Sequence, residues 1–521
     1  MFEATMHNTP KKSYPPLLQA LCKAAVYPHE TGVIRLLETH ISWVLLTGRY
    51  AYKIKKPVSF AFLDFSTLAQ RHFFCQEEMR LNRRLAANVY LEVVPITGTP
   101  EHPQFGGAGQ VIEYAVKMMQ FPEGELFSDR AQCGQLSTGT VDRLAQIIAD
   151  FHATIARADA GSPYGDSASI RHWFVENFDG IRPLLNNDRQ LQQLADIQSW
   201  GDDEWRQKAG LMQSRKQRGY VRECHGDLHL NNITLIDGQP VLFDCIEFNP
   251  ELRWIDVINE VAFLVLDLLH FGCDGDAYRV LNRYLQLTGD YGGLGVLRYY
   301  LVYRALVRAK LALLRMQQIK DGGLETDNEY TVYAQLAECF TRRAEPTLII
   351  THGYSGAGKS FLAGRLAEQA GAIQIRSDVE RKRLFGYRPQ DHSGGGIYSQ
   401  TAGQQTYRRL AELAKTIIAA GFTVIVDATF LKLAHRTPFR QLASDCGVRF
   451  VILDVQASEQ ALCRRIGERQ QDVSEATVEV LQQQLQAAQP LSAEEQPYVI
   501  EVDSESATIG TIIAAIKTAL Y

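Results

Sequence analysis

The chain has 521 residues, 46% hydrophobic and 22% charged, with a formal net charge of −5. At about 150 residues per domain, that length predicts two to four structural units of ordinary globular composition. No basic block is present, so neither a dedicated nucleic-acid surface nor a nucleic-acid partner is expected. The most apolar segment, VINEVAFLVLDLLHFG at 257–272, carries Glu260 and Asp267. It is too short and too charged to span a bilayer and reads as a buried helix, so no membrane partner is expected either. Nine cysteines run from Cys22 to Cys463 without a CxxC pair, and the first residues are polar with no apolar leader core. Both point to reduced thiols in a cytoplasmic protein.

In chain order, strand-like runs at IRLLET, SWVLLT and YAYKIKK precede a charged helical stretch from about Leu68 to Leu85. Further strands follow at VYLEVVPIT and VIEYAVKMMQF, separated by the Pro/Gly-rich loop 97–110. This predicts a small antiparallel sheet with one helix, a lobe spanning about 30–120. From Gly124 to about 340 the pattern is mostly helical, interrupted by CHGDLHLNNITLIDGQPVLFDCIEF. Beyond residue 344 strands and helices alternate, which predicts a parallel sheet with helices on both faces. The expected domains are therefore 1–344 and 345–521.

The run from Gly353 to Ser360, GYSGAGKS, fits GxxxxGK[ST] between an apolar strand and a helical stretch. Gly353, Ser355, Gly356, Ala357 and Gly358 are expected to wrap backbone N–H groups around ATP phosphates, helped by the helix N-terminus. Lys359 should reach the β- and γ-phosphates, and Ser360 should hold Mg²⁺. Asp427 ends the strand TVIVDAT, where a carboxylate can serve Mg²⁺ or a substrate hydroxyl. Asp378 ends IQIRSD, with Arg381 just beyond, at the strand ends where ligands bind in such folds. Arg464, Arg465 and Arg469 lie on a helix-like stretch placed to close over phosphates as a lid. A solvated helix face is the simpler account of any one of them. Together, GYSGAGKS, RSDVERKRL, VIVDATFL with Arg436 beyond it, and RRIGERQ resemble the small P-loop kinases related to gluconate kinase, polynucleotide kinase and zeta toxin. The resemblance implies substrate-side roles for Asp378 and Arg381, a Walker-B-like carboxylate at Asp427 and a lid arginine at Arg465 or Arg469.

A second constellation is dispersed. His225, Asp227 and Asn232 have HxDxxxxN spacing, and Asp244 ends an apolar run twelve residues later. Asp227 can position an acceptor hydroxyl and take its proton, while Asn232 and Asp244 can hold Mg²⁺. Lys53, in the third strand, is the candidate phosphate lysine; Lys55 shares its face on a period-2 strand. Glu78 is its expected partner, with Glu77 as competitor. The segment 118–124 is the expected hinge. This set resembles the aminoglycoside phosphotransferase and choline-kinase-like branch of the protein-kinase fold. That implies an α+β bilobal domain ahead of the α/β P-loop NTPase kinase domain. No GxGxxG loop is present; the turn LETHIS replaces it, with Ser42 or Thr39 as candidate phosphate contacts. Asp256 and Glu260 stand where a D-x-x-x-D pair is common, with Glu260 the candidate anchor of the catalytic loop. The pairing of the two domains resembles bacterial aminoglycoside phosphotransferase/ATP-binding proteins.

Arg304 and Arg308 are four apart on one helix face. Facing the cleft, they would select an anionic acceptor such as a sugar acid; otherwise they form a solvated basic face. The leading expectation is a bifunctional ATP- and Mg²⁺-dependent phosphotransferase acting on small-molecule hydroxyls. The alternatives are a nucleotide-sensing protein with one catalytic site and a polynucleotide-end kinase acting through the P-loop. The sequence leaves the oligomeric state open.

Overall fold

Strand β1 (Arg35–Glu38), β2 (Ser42–Leu46), β3 (Tyr50–Lys55), β4 (Tyr90–Thr99), β5 (His102–Phe105) and β6 (Val111–Met119) form a six-stranded antiparallel sheet. Their spatial order is β1-β2-β3-β6-β4-β5. Alternation sorts the side chains by face. Leu45, Tyr52, Ile54, Ile96 and Ala115 pack with Leu18, Leu21 and Tyr27 on one side. Lys53 and Lys55 therefore point to the other. Helix α1 (Leu68–Ala86) begins at a capping box in which the Thr67 side chain accepts from Gln70 N–H. It packs through Cys75 and Met79 onto Tyr90 and Val116. These coordinates, a computed structural model, describe residues 14–60, 63–318, 324–343, 345–393, 396–468, 474–506 and 508–520.

The chain divides into two compact units that do not follow chain order. One comprises residues 1–143, 150–267 and 303–335; the other comprises 144–149, 268–302 and 336–521. In the first, the segment that interrupts the helices contains a hairpin of β8 (Ile233–Ile236) and β9 (Gln239–Leu242), preceded by β7 (Val221–Glu223) and followed by β10 (Trp254–Asp256). Asp237 and Gly238 both have positive φ, as a tight two-residue hairpin turn requires. Helix α2 (Val257–His270) is the apolar segment noted above. Its residues from Val257 to Leu268 are buried, Glu260 and Asp267 included.

In the second unit, β11 (Thr347–His352), β12 (Ile373–Arg376), β13 (Val424–Asp427), β14 (Arg449–Gln456) and β15 (Val499–Asp503) pair in parallel, in the order β12-β13-β11-β14-β15. Helix α3 (Asp274–Thr288) belongs to this unit and covers its edge strand. Asn282 Nδ2 donates to Ala372 O at 2.9 Å, and Gln374 N–H donates to Asn282 Oδ1 at 2.7 Å, so one side-chain amide stands in for a missing strand. A Cβ on Gly371 would meet the Tyr278 ring at 2.9 Å. Among the described residues, no helix is long and apolar enough to cross a membrane.

Arg436 is a clasp in the second unit. It donates to both Glu495 oxygens, at 2.6 and 3.0 Å, and to the carbonyls of Phe430, Gln489 and Pro490. Arg436→Ala leaves a buried carboxylate unpaired and is expected to destabilise this unit by about 3–5 kcal/mol. Arg464→Ala, at an exposed position, is expected to stay within about 0.5 kcal/mol. Urea unfolding followed by circular dichroism measures both.

Candidate active sites

In the first unit, β3 delivers two lysines to one carboxylate. Glu78 lies 2.8 Å from Lys53 and 2.8 Å from Lys55, one through each oxygen. Lys53 also contacts Asp244 at 2.5 Å, and Lys55 pairs with Glu247. Glu77 is engaged elsewhere, with Arg80 at 2.9 Å and Arg253 at 3.6 Å. Burial acts to raise the Glu78 carboxyl, but Lys53 and Lys55 bring it down to about 2. Burial pushes the Glu247 carboxyl up; Lys55 offsets this only in part, and Glu78 adds to the rise. Glu247 was not anticipated. The signal available for it was a carboxylate three residues past Asp244 in an otherwise apolar run.

The loop that carries Asp227 is held by buried carboxylates. Gly226 N–H donates to Glu260 at 2.7 Å, and His152 Nε2 lies 2.9 Å from the other Glu260 oxygen. Burial alone would raise Glu260, but His152, with His225 and the Gly226 N–H, brings it down to about 2. A Cβ on Gly226 would lie 2.9 Å from Leu252 O, so the loop needs glycine there. Asp267 accepts Leu230 N–H at 2.8 Å. Asp256 instead binds Arg215 at 2.7 and 2.8 Å and accepts Ile258 N–H. Asn232 Nδ2 donates to Asp227 Oδ2 at 3.1 Å and to Asp227 O at 2.9 Å, and His229 Nε2 lies 3.3 Å from the same carboxylate. The hairpin register places Phe243 N–H on Asn232 O, so Asn232 and Asp244 sit at adjoining ends of one ladder. Asn82, one turn beyond Glu78 on α1, accepts Cys245 N–H at 2.9 Å and so ties the Asp244 segment to the helix. The i,i+4 spacing could have revealed it.

Ser42 lies opposite Lys55 on the same sheet face, fully buried. Thr39 closes the turn, its hydroxyl accepting Ser42 N–H at 2.9 Å. Arg304 and Arg308 do not form a solvated face. Both are buried: Arg304 donates to Asn259 at 2.8 Å and lies over the Phe263 ring, while Arg308 donates to the Tyr333 hydroxyl at 3.1 Å and lies 4.0 Å from Asp267. Their carrier helix, α4 (Leu294–Gln318), is buried on several sides there, so shared spacing did not mean shared solvent. The pair backs the helix that carries Asp267 and lends no support to an anionic acceptor at this site.

In the second unit the P-loop opens onto a cavity of about 710 Å³. Its lining includes Ser355, Gly356, Gly358, Lys359, Ser360, Asp378, Arg381, Asp427 and Arg465, so the structure brings these together. A Cβ on Gly353 would lie 2.4 Å from Val455 O and one on Gly356 2.9 Å from Leu462 O, which reserves the turn for glycine. Lys359, the first residue of α5 (Lys359–Ala370), donates to Tyr354 O at 2.7 Å across the loop. Asp427 is buried, which raises its carboxyl; Arg376, a Ser360 hydrogen bond and Lys359 act against that rise. Asp378 pairs with Arg381 at 2.9 Å on α6 (Ser377–Leu384). Arg465 approaches the carbonyls of Gly356 and Ala357 at 3.4 Å and donates to Ser504 at 2.9 Å. Arg469 lies outside the described residues. Two unanticipated residues are Gln484, which exchanges hydrogen bonds with Ser355 at 2.9 Å, and Gln374, which donates to Asp427 at 3.1 Å. Gln374 was legible as a polar residue inside an apolar strand.

The glycine cradle and the oxygen donors suit a nucleotide with a hard divalent cation: Ser360 with Asp427 in one unit, Asn232 with Asp244 in the other. The chain is similar to known proteins in both parts. The phosphotransferase enzyme family matches residues 61–300, and an AAA domain matches residues 348–491. Over 451 residues the chain is 30% identical to an uncharacterized protein of Mycobacterium tuberculosis, spanning 86% of this chain and 88% of that one. A solved amicoumacin kinase in complex with AMP-PNP, Ca²⁺ and Ami is similar over 62% of this chain and 93% of its own, at 13% identity and TM-score 0.39. A gluconokinase from Sinorhizobium meliloti is similar over 34% and 93%, at 21% identity and TM-score 0.26.

His225 gives the first unit a pH dependence. Its Nε2–H donates to Phe243 O at 2.8 Å, and burial pushes the imidazole down to about 4. The unfolded chain therefore takes up this proton first, at its ordinary value of about 6.5. The stabilisation is complete above that pH and is lost as the pH falls towards 4, by about 3 kcal/mol. Every tryptophan (Trp43, Trp173, Trp200, Trp205, Trp254) lies in this unit, so tryptophan fluorescence during urea unfolding reads the loss directly. His225→Asn is expected to flatten that part of the profile.

Proposed function

Because the chain belongs to the family that joins a phosphotransferase enzyme family domain to an AAA-type P-loop kinase domain, and is an ATP-dependent kinase, we propose that both of its sites catalyse transfer to small-molecule hydroxyls. The observation that carries this reading is the convergence of Lys53, Glu78 and Asp244 in a unit whose catalytic loop is fully tethered. A degenerate nucleotide sensor has no need of a carboxylate aligned by both Asn232 and His229.

In the first site Asp227 orients the acceptor hydroxyl and takes its proton, while Lys53, steadied by Glu78, addresses the phosphates. Asn232 and Asp244 would hold Mg²⁺, whose charge would neutralise phosphate oxygens. In the second site Lys359 and the P-loop N–H groups bind the phosphates, with Ser360 and Asp427 as the metal residues. Arg465 stands at the phosphate side, and Asp378 with Arg381 lies at the acceptor side. An anionic, sugar-type acceptor is assigned to this second site. Arg376 and Arg381 line its cavity beside the phosphate-binding residues, whereas Arg304 and Arg308 are engaged in the interior of the first unit.

ADP release by wild type, Asp227→Asn and Lys359→Ala, measured against sugars, sugar acids, aminoglycosides and 5′-hydroxyl oligonucleotides, tests both halves. Asp227→Asn should lower one acceptor's turnover about 10²–10⁴-fold and leave a second acceptor's turnover intact. Lys359→Ala should do the reverse. If Asp227→Asn left every turnover unchanged, the first site would be a nucleotide sensor. Oligonucleotide-stimulated turnover lost in Lys359→Ala would identify a polynucleotide-end kinase instead.

A further inference from the structure

Asp427 is the last residue of β13, and its orientation is not left to its own rotamer. Gln374, on the neighbouring edge strand β12, donates through Nε2 to Asp427 Oδ2 at 3.1 Å and to Ser360 O at 3.3 Å. Arg376 Nε approaches the same Asp427 oxygen at 3.6 Å. One amide thus spans the two residues read as holding the metal. A glutamine amide has two ends, and only the NH₂ end suits a carboxylate; the reversed amide would set oxygen against oxygen. The Asp427 carboxylate and the Ser360 carbonyl are both acceptors, so they fix the NH₂ end on their side. Gln286, on α3, donates from Nε2 to the Gln374 Oε1 that then faces it, at 3.3 Å, and holds the amide in that orientation.

The outer member is itself fixed. Gln286 and Gln374 are 6% and 5% exposed, so water does not compete for their amides. The Gln286 main-chain carbonyl accepts from Arg383, and Asn282, one turn earlier on α3, clamps the Gln374 N–H. Arg279 pairs with Glu368 at 2.6 Å, which ties α3 to the helix that follows the P-loop. The segment carrying Asn282 and Gln286 falls within residues 61–300, the stretch matched by the phosphotransferase enzyme family, yet in space it belongs to the P-loop unit.

We propose that Gln374 and Gln286 form a positioning relay that presents the Asp427 carboxylate to the divalent cation, so that the P-loop site is not complete within residues 345–521. The relay rests on the reading of Asp427 as the metal carboxylate. Outer partners of metal carboxylates set metal affinity by orienting the ligand, and their loss costs about 10–100-fold in affinity. Gln374 touches the carboxylate, so its removal should act at that scale. Gln286 acts through Gln374, so its removal frees the amide to turn and should cost less.

The test uses the full chain carrying Lys53→Met, which removes the phosphate lysine of the first site. The same chain with Lys359→Ala added is the blank. Fluorescence of mant-ATP is titrated with Mg²⁺. Gln374→Leu should raise the half-saturating Mg²⁺ concentration about tenfold or more. Gln286→Leu should raise it about three- to tenfold, as expected for loss of one hydrogen bond. Binding of mant-ATP in EDTA should stay at the parent level in both. Parallel loss of binding with and without Mg²⁺ would mean a merely structural role and would overturn the relay, as would an unmoved Mg²⁺ midpoint in both variants. Asp427→Asn separates the two layers of argument. If it leaves the Mg²⁺ midpoint in place, the metal reading of Asp427 fails. If it abolishes the Mg²⁺ response while the glutamine variants do not shift, the relay alone fails.

Discussion

Glu260 is the carboxylate on which the geometry of the Asp227 loop depends. A loop that brings Asp227 and Asn232 towards Asp244 cannot rely on secondary structure alone, because its turn lies outside the hairpin. Glu260 supplies the missing restraint by accepting Gly226 N–H on one oxygen and pairing with His152 on the other. Such a carboxylate can be buried only if it is fully compensated, since an unpaired one would be neutralised by protonation. The same logic recurs around it. Asp267 holds Leu230, Asp256 is neutralised by Arg215, and Glu78 is shared by Lys53 and Lys55. The lobe is a set of buried anions, each with a named partner, and its loop geometry follows from those pairings.

Contiguous chemistry was legible in the sequence, and so was the fold. The GYSGAGKS run, the HxDxxxxN spacing and the switch to alternating strands and helices pointed to a kinase-like fold followed by a P-loop kinase fold. What stayed ambiguous did so for physical reasons. Lys53 and Lys55 share a face because strand periodicity is two, and both reach Glu78, so no pattern could have chosen between them. Spacing placed Arg304 and Arg308 on one face correctly but could not say what that face meets; α4 runs through the interior there, and both arginines are consumed by Asn259, Tyr333 and Asp267. The grouping of 268–302 with the P-loop unit was illegible for another reason. A helix that docks through two side-chain amides leaves no periodic signature, only Asn282 and Gln286 on an otherwise ordinary amphipathic helix.

The two sites answer one electrostatic demand, binding a polyphosphate, by different routes. The P-loop does so with backbone donors at a helix start, so its requirement falls on glycines whose added Cβ atoms would strike Val455 O and Leu462 O. Because that requirement is local, it appears in eight consecutive residues. The first candidate site presents side-chain cations instead, and a buried cation needs a buried anion. Lys53 is therefore answered by Glu78 from α1 and by Asp244 from beyond the hairpin, 191 residues away in sequence.

That difference decides how each site responds to the rest of its unit. In the first, the binding residues are themselves the long-range contacts, so loosening α1 releases Glu78 and, through Asn82, the segment bearing Asp244. In the second, the turn of the P-loop is set by its own glycines, with Gln484 and Arg465 touching it from outside, and Asp427 reaches through Gln374 to α3. The two candidate sites thus differ in where their long-range contacts fall, around the lysines of one and around Asp427 of the other.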